Sequence, residues 1–229
     1  MTDNFKPMIE WSQIELVLLD MDGTLLDLYF DNHFWLEHLP QCYAQLHGLS
    51  AREAQQELSA RYQRVEGKLE WYCIDHWSRE LGLDIALLKM EVAHLISLHP
   101  WVVEFLELMG EQGRRKVLVT NAHRKSLALK LERTHLGGHL DRIVCAHDLG
   151  LPKEAPQFWD RLQQIEPFDP DKTLFVDDSP PVLASAREYG IRWLVRVLKP
   201  DTKASPRAPG GYPSIHDFSE LLLACREDS

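Results

Sequence analysis

LLDMDGTLLD, Leu18 to Asp27, is the stretch whose reading decides the fold. The apolar run that leads into it, Ile14 to Leu19 (IELVLL), is short, aliphatic but for Glu15, and largely continuous rather than alternating. Strands with one wet face alternate apolar and polar residues. Strands that are apolar throughout are buried on both faces, as in a parallel sheet under helices. The run ends at Asp20, and Gly23 then forces a turn. Residues i and i+2 of a strand share a face, so persistent extended geometry places Asp20 and Asp22 together at its carboxyl end. Two adjacent carboxylates repel, which raises the proton affinity of at least one. A fold keeps such a pair where a cation binds or where one acid must donate a proton. An isolated Asp-x-Asp is more often a solvated turn. The buried strand before it and Gly23-Thr24 after it weigh against that reading here.

Working outward, similar runs recur at Lys116 to Thr120 (KVLVT), Arg142 to Ala146 (RIVCA), Thr173 to Val176 (TLFV) and Ile191 to Val197 (IRWLVRV). Helical stretches separate them. Trp101 to Gln112 ends at Gly113, Leu127 to His135 ends near Gly137, and Ala155 to Ile165 stops before Pro167. A fourth is capped by Ser179, has Pro180 and Pro181 in its first turn, and is closed by Gly190. Alternating strand and helix predicts an α/β fold with a parallel sheet covered on both faces.

In open sheets of this kind ligands bind beyond the carboxyl ends of the strands. Four strand ends carry chemistry. TLFVDDSP adds Asp177 and Asp178 to Asp20 and Asp22, giving a nominal local charge of about −4 if the two strands are neighbours. A divalent cation brings it to about −2 and one lysine to about −1. An all-oxygen set of ligands points to Mg²⁺ rather than Zn²⁺. VLVTNAH places Thr120 and Asn121, with a hydroxyl and an amide for phosphate oxygens, at a third strand end. GLPKEAPQFW places Lys153 in a loop at the same edge. A lone loop lysine is usually a solvated charge; at this edge it suits a phosphate.

Residues from about 30 to 98 have helical periodicity and almost no strand signal. Trp35, Leu39, Tyr43 and Leu46 share one face. Ser50 and Glu53 form a capping box ahead of Ala54, Leu58, Tyr62 and Val65. A third helix is expected over Glu70 to Leu81, ended by Gly82, and a fourth after Asp84, with Ile85, Leu88, Val92 and Leu95 inward. Four helices placed directly after the first strand suggest an inserted lid. The expected division is a core of residues 1–28 and 99–229 and an all-α cap of residues 29–98. Lys199 to Pro213 reads as an irregular loop before a last helix, Ile215 to Cys225.

Composition narrows the function classes. The chain has 229 residues, 45% apolar and 26% charged, an ordinary globular balance. Its net charge of −10 repels phosphate backbones, so no nucleic-acid partner is expected. If the substrate is itself an anion, something local must overcome that charge. No apolar run reaches the length of a membrane span, and Met1 to Glu10 lacks the basic start and apolar stretch of a signal peptide. The expectation is a cytoplasmic protein with no membrane or protein partner. Cys42, Cys73, Cys145 and Cys225 are far apart and read as reduced, buried thiols.

The ordered set Asp20 to Leu26, Val119 to Asn121, Lys153 and Val176 to Asp178 resembles the four motifs of the haloacid dehalogenase superfamily, and the match spans nearly the whole chain. The resemblance implies a Rossmann-like core of strand order 5-4-1-2-3, with the helical insert as the superfamily's lid. It implies Asp20 as nucleophile, forming an aspartyl phosphate, and Asp22 as the acid and base. It further implies Mg²⁺ held by Asp20, the Asp22 backbone carbonyl and Asp177, with Asp178 in support. Thr120, Asn121, Lys153 and the loop N–H groups near Gly23 would hold the phosphoryl group. The true dehalogenases lack an acid at the Asp22 position, so phosphate chemistry is implied over carbon–halogen cleavage.

Within the superfamily, LLDMDGTLLDL, FDNHFW, WYCIDHW, LGLDI, TNAH and FVDDS are similar to stretches of the bacterial GMP/IMP nucleotidases. That resemblance implies a purine 5′-monophosphate as substrate. Tyr29, Phe30, Trp35, Trp71, Tyr72 and Trp77 make the insert rich in rings on which a base can stack. At helical spacing, Trp35 and Trp77 read as lid core; Asp31 or Asn32 are candidates for the base edge. His123, His135, His139 and His147 lie near one another in sequence without a compact metal spacing. His123 is placed at the pocket rim or at a helix start. The competing readings are a sugar-phosphate phosphatase or phosphomutase of the same superfamily, a phosphoacceptor domain without turnover, and a silent phosphate-binding protein.

Overall fold

β1 (Leu16–Leu19) lies inside a six-stranded parallel sheet in the computed structural model, which describes residues 9–227. The other strands are β2 (Arg115–Thr120), β3 (Arg142–Cys145), β4 (Thr173–Asp177), β5 (Trp193–Val197) and β6 (Ser214–Ile215). Their order is β3-β2-β1-β4-β5-β6, every neighbouring pair parallel. The five expected strands take their expected places. The addition is β6, which pairs with Arg196 and Val197 at one edge. Two residues are too few to give a periodic signal, so this stretch reads as the start of a helix. The last helix begins later, at Ser219 (α12, Ser219–Glu227), after a turn in which Asp217 accepts the Ser219 N–H. Most of the reading of Met1 to Glu10 lies outside the described residues.

Alternation along the strands feeds two cores. Val17, Leu19, Leu118, Leu174 and Val176 face one side, where α7 (Val102–Glu111) brings Phe105 and Met109 and α12 brings Leu221. Leu16, Leu18, Val117, Val119 and Phe175 face the other, under Phe158 and Trp159 of α10 (Gln157–Ile165) and Leu183 of α11 (Pro180–Tyr189). All four β1 side chains are at most 5% exposed. Burying each contributes about 1.5–3 kcal/mol, which helps hold in place the charged residues that follow.

Residues 29–95 form the helical block. Its helices are α1 (Tyr29–His33), α2 (Leu39–His47), α3 (Ala51–Val65), α4 (Leu69–Tyr72), α5 (Ile74–Leu81) and α6 (Ile85–Glu91). They close on their own core, which includes Phe30, Phe34, Tyr43, Leu58, Trp77 and Ile85. The Ser50–Glu53 capping box forms, Gly82 ends α5 in the left-handed region, and Asp84 caps α6. Two expectations change. A π-helical stretch, Phe34–His38, joins α1 to α2, and Leu46, near the end of α2, is 55% exposed rather than inward. The single helix expected over Glu70 to Leu81 breaks at Cys73, whose extended backbone starts α5 with its sulfur accepting the His76 N–H.

The chain leaves and re-enters the sheet body at one place. The Asp27 N–H donates to Ser97, the His99 N–H donates to Leu25, and Leu26 and Leu98 form an antiparallel bridge. Among the described residues no helix is long and apolar enough to cross a membrane.

Candidate active site

The register of the sheet assembles the acids. Leu19 lies opposite Val176, and the Asp20 N–H donates to the Val176 carbonyl, so Asp20 and Asp177 emerge side by side. Single carboxylate oxygens of Asp20, Asp177 and Asp178 lie within 4.8 Å of one another, all three residues buried. Lys153 Nζ, 2% exposed, donates to Asp20 at 2.5 Å and to Asp177 at 2.7 Å. Arg207 pairs with Asp178 at 2.7 Å. The donors are all oxygen and anionic, and they converge at a strand edge. Such a set fits a hard divalent cation such as Mg²⁺.

Met21 to Leu26 make the turn above them. The Met21 carbonyl accepts the Leu26 N–H and the Gly23 N–H donates to Leu26, so this bridge leaves the Asp22 carbonyl out. Gly23 has φ +86°, and a Cβ there would stand 2.9 Å from Pro200 Cβ and 3.0 Å from the Asp178 carboxyl. Only glycine lets the turn close this tightly. The Asp22 side chain points to Lys130 on α8 (Arg124–Thr134), at 2.6 Å. Lys130, 1% exposed, also holds Asp31 at 2.6 Å, and Asp31 in turn binds Lys89 at 2.7 Å. Lys89 lies over the Phe34 ring at 4.7 Å. A file of alternating charges, Asp22–Lys130–Asp31–Lys89, thus runs from the strand end into the helical block.

Thr120 is buried at the end of β2, and its Oγ1 accepts the Ala122 N–H at 3.0 Å. Asn121 is committed at both ends of its amide. Its Oδ1 accepts the Lys153 N–H and its Nδ2 donates to Glu154, each at 2.9 Å. The amide therefore fixes the backbone of the lysine loop. Glu154 also accepts from the Tyr72 hydroxyl at 2.5 Å, joining α4 to the same loop. Ser179, expected to cap α11 with its side chain, makes no such bond; its N–H donates to Asp177 instead.

Proton affinities follow from this geometry. Burial raises Asp20 to about 6 against the pull of Lys153, with the Asp177 charge adding to the rise. Burial likewise brings Asp177 and Asp178 to about 6, against Lys153 and Arg207 respectively. Asp22 also reaches about 6, raised by its enclosed position and by Asp31, and opposed by Lys130. Asp31 goes the other way. Burial would raise it, but Lys130 and Lys89 together hold it at about 2. For Lys153, burial opposes the charge, but Asp177 and Asp20 outweigh it and hold the ammonium above its ordinary range.

A cavity of about 430 Å³ opens over these groups. Its floor carries Asp20, Asp22, Thr120 and Lys153; its roof carries Trp35, Tyr62, Trp71 and Tyr72. Tyr62 meets Trp77 edge-on at 5.0 Å and Trp71 at 6.0 Å. Trp77 is core, as its spacing suggests, and Trp35 is half-buried; both line the cavity. Asp31 and Asn32 line the cavity too, Asp31 bound by its two lysines and Asn32 donating to Asp201 at 2.7 Å. His123 is both things expected of it: the cap of α8 and a residue of the cavity rim. Cys145 and Cys225 are buried thiols; Cys42 and Cys73 are half-buried.

Sequence reading misses Lys130, Lys89, Glu154 and Arg207. The two lysines do leave a signal, since each occupies an inward position of an amphipathic helix, Lys130 after Leu127 and Lys89 after Ile85. Arg207 leaves none, because it comes from an irregular stretch.

Comparison with known proteins bears on what this arrangement does. A family model described as haloacid dehalogenase-like hydrolase matches residues 14–190. The chain is 38% identical over 214 residues to the GMP/IMP nucleotidase YrfG of Escherichia coli (strain K12), covering 93% of this chain and 96% of that one. In structure it is similar to an HAD phosphatase from Thermococcus onnurineus, with TM-score 0.74, 21% identity, and 92% and 97% of the two chains covered. It is also similar to an HAD-hydrolase, YfnB, from Bacillus subtilis bound to magnesium (TM-score 0.60, 18% identity, 93% and 98% covered). The last two are likenesses of fold.

Proposed function

The chain belongs to the haloacid dehalogenase-like hydrolases, and on that premise we propose that it hydrolyses purine 5′-monophosphates, GMP and IMP, to nucleoside and phosphate. The observation that carries the reading is one cavity whose floor holds Asp20, Asp22 and Lys153 and whose roof is aromatic. Its volume of about 430 Å³ lies in the range of small-ligand sites, about 300–1,000 Å³. The 38% identity to a GMP/IMP nucleotidase supports the choice of substrate.

In this reading an Asp20 carboxylate oxygen attacks phosphorus, and the bond from phosphorus to the nucleoside 5′-oxygen breaks. Asp22 gives its proton to that oxygen. A pKa of about 6 suits an acid that must hold a proton near neutrality and then act as base. Asp22 next takes a proton from water as the water attacks the aspartyl phosphate, which releases phosphate and restores Asp20. Lys153 and Thr120 face the phosphoryl oxygens, where charge is spread in the transition state. Asn121 and Lys130 are positioning residues, the first for the Lys153 loop and the second for Asp22. Asp20, Asp177 and the Asp22 carbonyl would hold Mg²⁺, with Asp178 beside them; the bound ion would neutralise phosphoryl charge. Lys153, Lys130 and Lys89 offset part of the charge of Asp20, Asp22, Asp31 and Asp177, and a bound Mg²⁺ would add the rest of what an anionic substrate needs from an acidic protein. We take residues 29–98 as the cap and residues 1–28 and 99–229 as the core.

The test is phosphate release with Mg²⁺ across 5′-nucleotides, sugar phosphates and p-nitrophenyl phosphate, repeated with a chelator. Preference for GMP and IMP, lost in chelator and restored by Mg²⁺, is expected. Turnover confined to sugar phosphates would overturn the purine assignment, and full activity in chelator would overturn the metal's role.

A further inference from the structure

Away from the carboxylates, a second group of metal-ligating side chains meets at the seam between the helical block and the sheet body. Cys73 comes from the break between α4 and α5. His123 caps α8, and His147 lies on α9 (Ala146–Leu149), directly after β3. One ligand atom from each of the three lies within 4.8 Å of the others. The His123 and His147 rings are 5.0 Å apart, nearly perpendicular.

The decisive detail is at His147. Its Nε2 is buried and has no hydrogen-bond partner. An enclosed imidazole nitrogen without a partner is an unmet coordination position, and in the tautomer that carries its proton on Nδ1 it presents a lone pair to a metal ion. Burial lowers the proton affinity of both imidazoles, which keeps them neutral; His123 Nδ1 accepts the Lys125 N–H at 3.4 Å, and an ion bound at Nδ1 would take the place of that weak cap. Neighbouring cations are already neutralised: Arg124 pairs with Asp148 at 2.5 Å and Lys125 with Asp75 at 2.6 Å. Asp75 also stands 3.7 Å from His123 Nε2, within reach as a further oxygen donor. A surface pocket lined by Lys68, Glu70, Cys73 and His147 connects the group with solvent.

We propose that Cys73, His123 and His147 form a binding site for a thiophilic divalent cation of the Zn²⁺ class. One sulfur and two imidazoles are the borderline-soft set that Zn²⁺ and Co²⁺ favour, whereas Mg²⁺ selects the all-oxygen cluster beside Asp20. Bonds of about 2.0–2.3 Å set tetrahedral ligand separations of roughly 3.3–3.6 Å, so side-chain shifts of about 1–1.5 Å close the site. Its ligands come from both bodies, and a bound ion therefore ties one to the other. His38, Cys42 and Glu91 make another cluster within 4.8 Å. There the imidazole is already bonded to Glu91 at 3.0 Å, and Glu91 is half exposed.

The test is Co²⁺ titration of the full, reduced chain in excess Mg²⁺, which keeps Co²⁺ from the carboxylates. The intact chain should take up one Co²⁺ with a thiolate-to-cobalt charge-transfer band. Cys73→Ser should lose the band, His147→Ala should bind Co²⁺ at least tenfold more weakly, and Cys42→Ser should match the intact chain. A second measurement needs no variant: Zn²⁺ should slow alkylation of Cys73 at least tenfold and leave Cys42 unchanged. No band in the intact chain, a band that survives Cys73→Ser or vanishes in Cys42→Ser, or unprotected Cys73 would overturn the proposal.

Discussion

Lys130→Met keeps the length and apolar bulk of the side chain and removes its charge. In the intact chain the ammonium is 1% exposed and bridges Asp22 and Asp31 at 2.6 Å each. Without it two enclosed carboxylates share a space in which only Lys89 remains, on the far side of Asp31. Removing one partner of a buried ion pair costs about 3–5 kcal/mol. At about 2–4 °C per kcal/mol for a chain of this size, Tm should fall by about 6–20 °C at pH 8. The deficit also depends on pH. Asp22 sits at about 6 because its enclosed position disfavours the charge, with Lys130 opposing that rise. Without Lys130 it goes higher. A carboxyl raised above its unfolded value destabilises the fold when ionised, and the penalty disappears as pH falls through the folded-state pKa. The Asp22 share of the deficit is thus full at pH 8 and shrinks towards pH 5. Asp31, held at about 2, has the opposite sign. The stability it contributes is present above its unfolded value near 3.8, so its share of the deficit persists at pH 5. The assay is thermal unfolding of both proteins at pH 8 and pH 5 in chelator, so that no Mg²⁺ screens the acids. A fall of less than about 2 °C at pH 8, or a larger fall at pH 5 than at pH 8, would refute the reasoning.

Asp20→Asn keeps the side chain's shape and leaves Lys153 paired with Asp177, so a folded chain should result with phosphate release cut at least about a thousandfold; a near-normal rate rejects Asp20 as nucleophile. Gly23→Ala combines a left-handed φ with contacts of 2.9–3.0 Å to Pro200 and Asp178. It should cost about 1–3 kcal/mol in urea unfolding, and an unchanged midpoint would show that the turn yields. Trp71→Ala and Tyr72→Ala each remove a cavity ring. A stacked base contributes about 1–3 kcal/mol, so kcat/KM for GMP should fall relative to p-nitrophenyl phosphate by about 5–150-fold; unchanged selectivity in both removes stacking.

What the sequence reveals divides along physical lines. β1 and β4 are buried on both faces, so their aliphatic runs and terminal acids stand out, and the parallel register alone then brings Asp20 beside Asp177. Lys153 is legible because it sits in a short loop at a strand end. Lys130 and Lys89 are harder, because a lysine on a helix is ordinarily solvated, and only its place in the apolar stripe marks it as inward. The break at Cys73 has no glycine or proline to announce it. Cys73, His123 and His147 are brought together by packing of the helical block on the sheet body, which spacing along the chain cannot encode. Arg207 and β6 depend on a tail without periodicity, whose course is set by single contacts such as Arg207 with Asp178.

The paired crossing at Asp27–Ser97 and Leu25–His99 bears on how such a chain is put together. The entropy of closing a loop grows only slowly with its length. Here the loop ends are already fastened by the Leu26–Leu98 bridge. The intervening helices therefore add little to the cost of assembling the sheet, whatever their number or kind. A spliced chain, with the crossing closed by a tight turn in place of the helices, should keep the β1 pairings with β2 and β4, since neither uses the helical block. The junction acts as a socket for the backbone, while Asp31 and Tyr72 of the block reach down to Lys130 and Glu154, so exchanging the block would also change the partners of the floor beneath it.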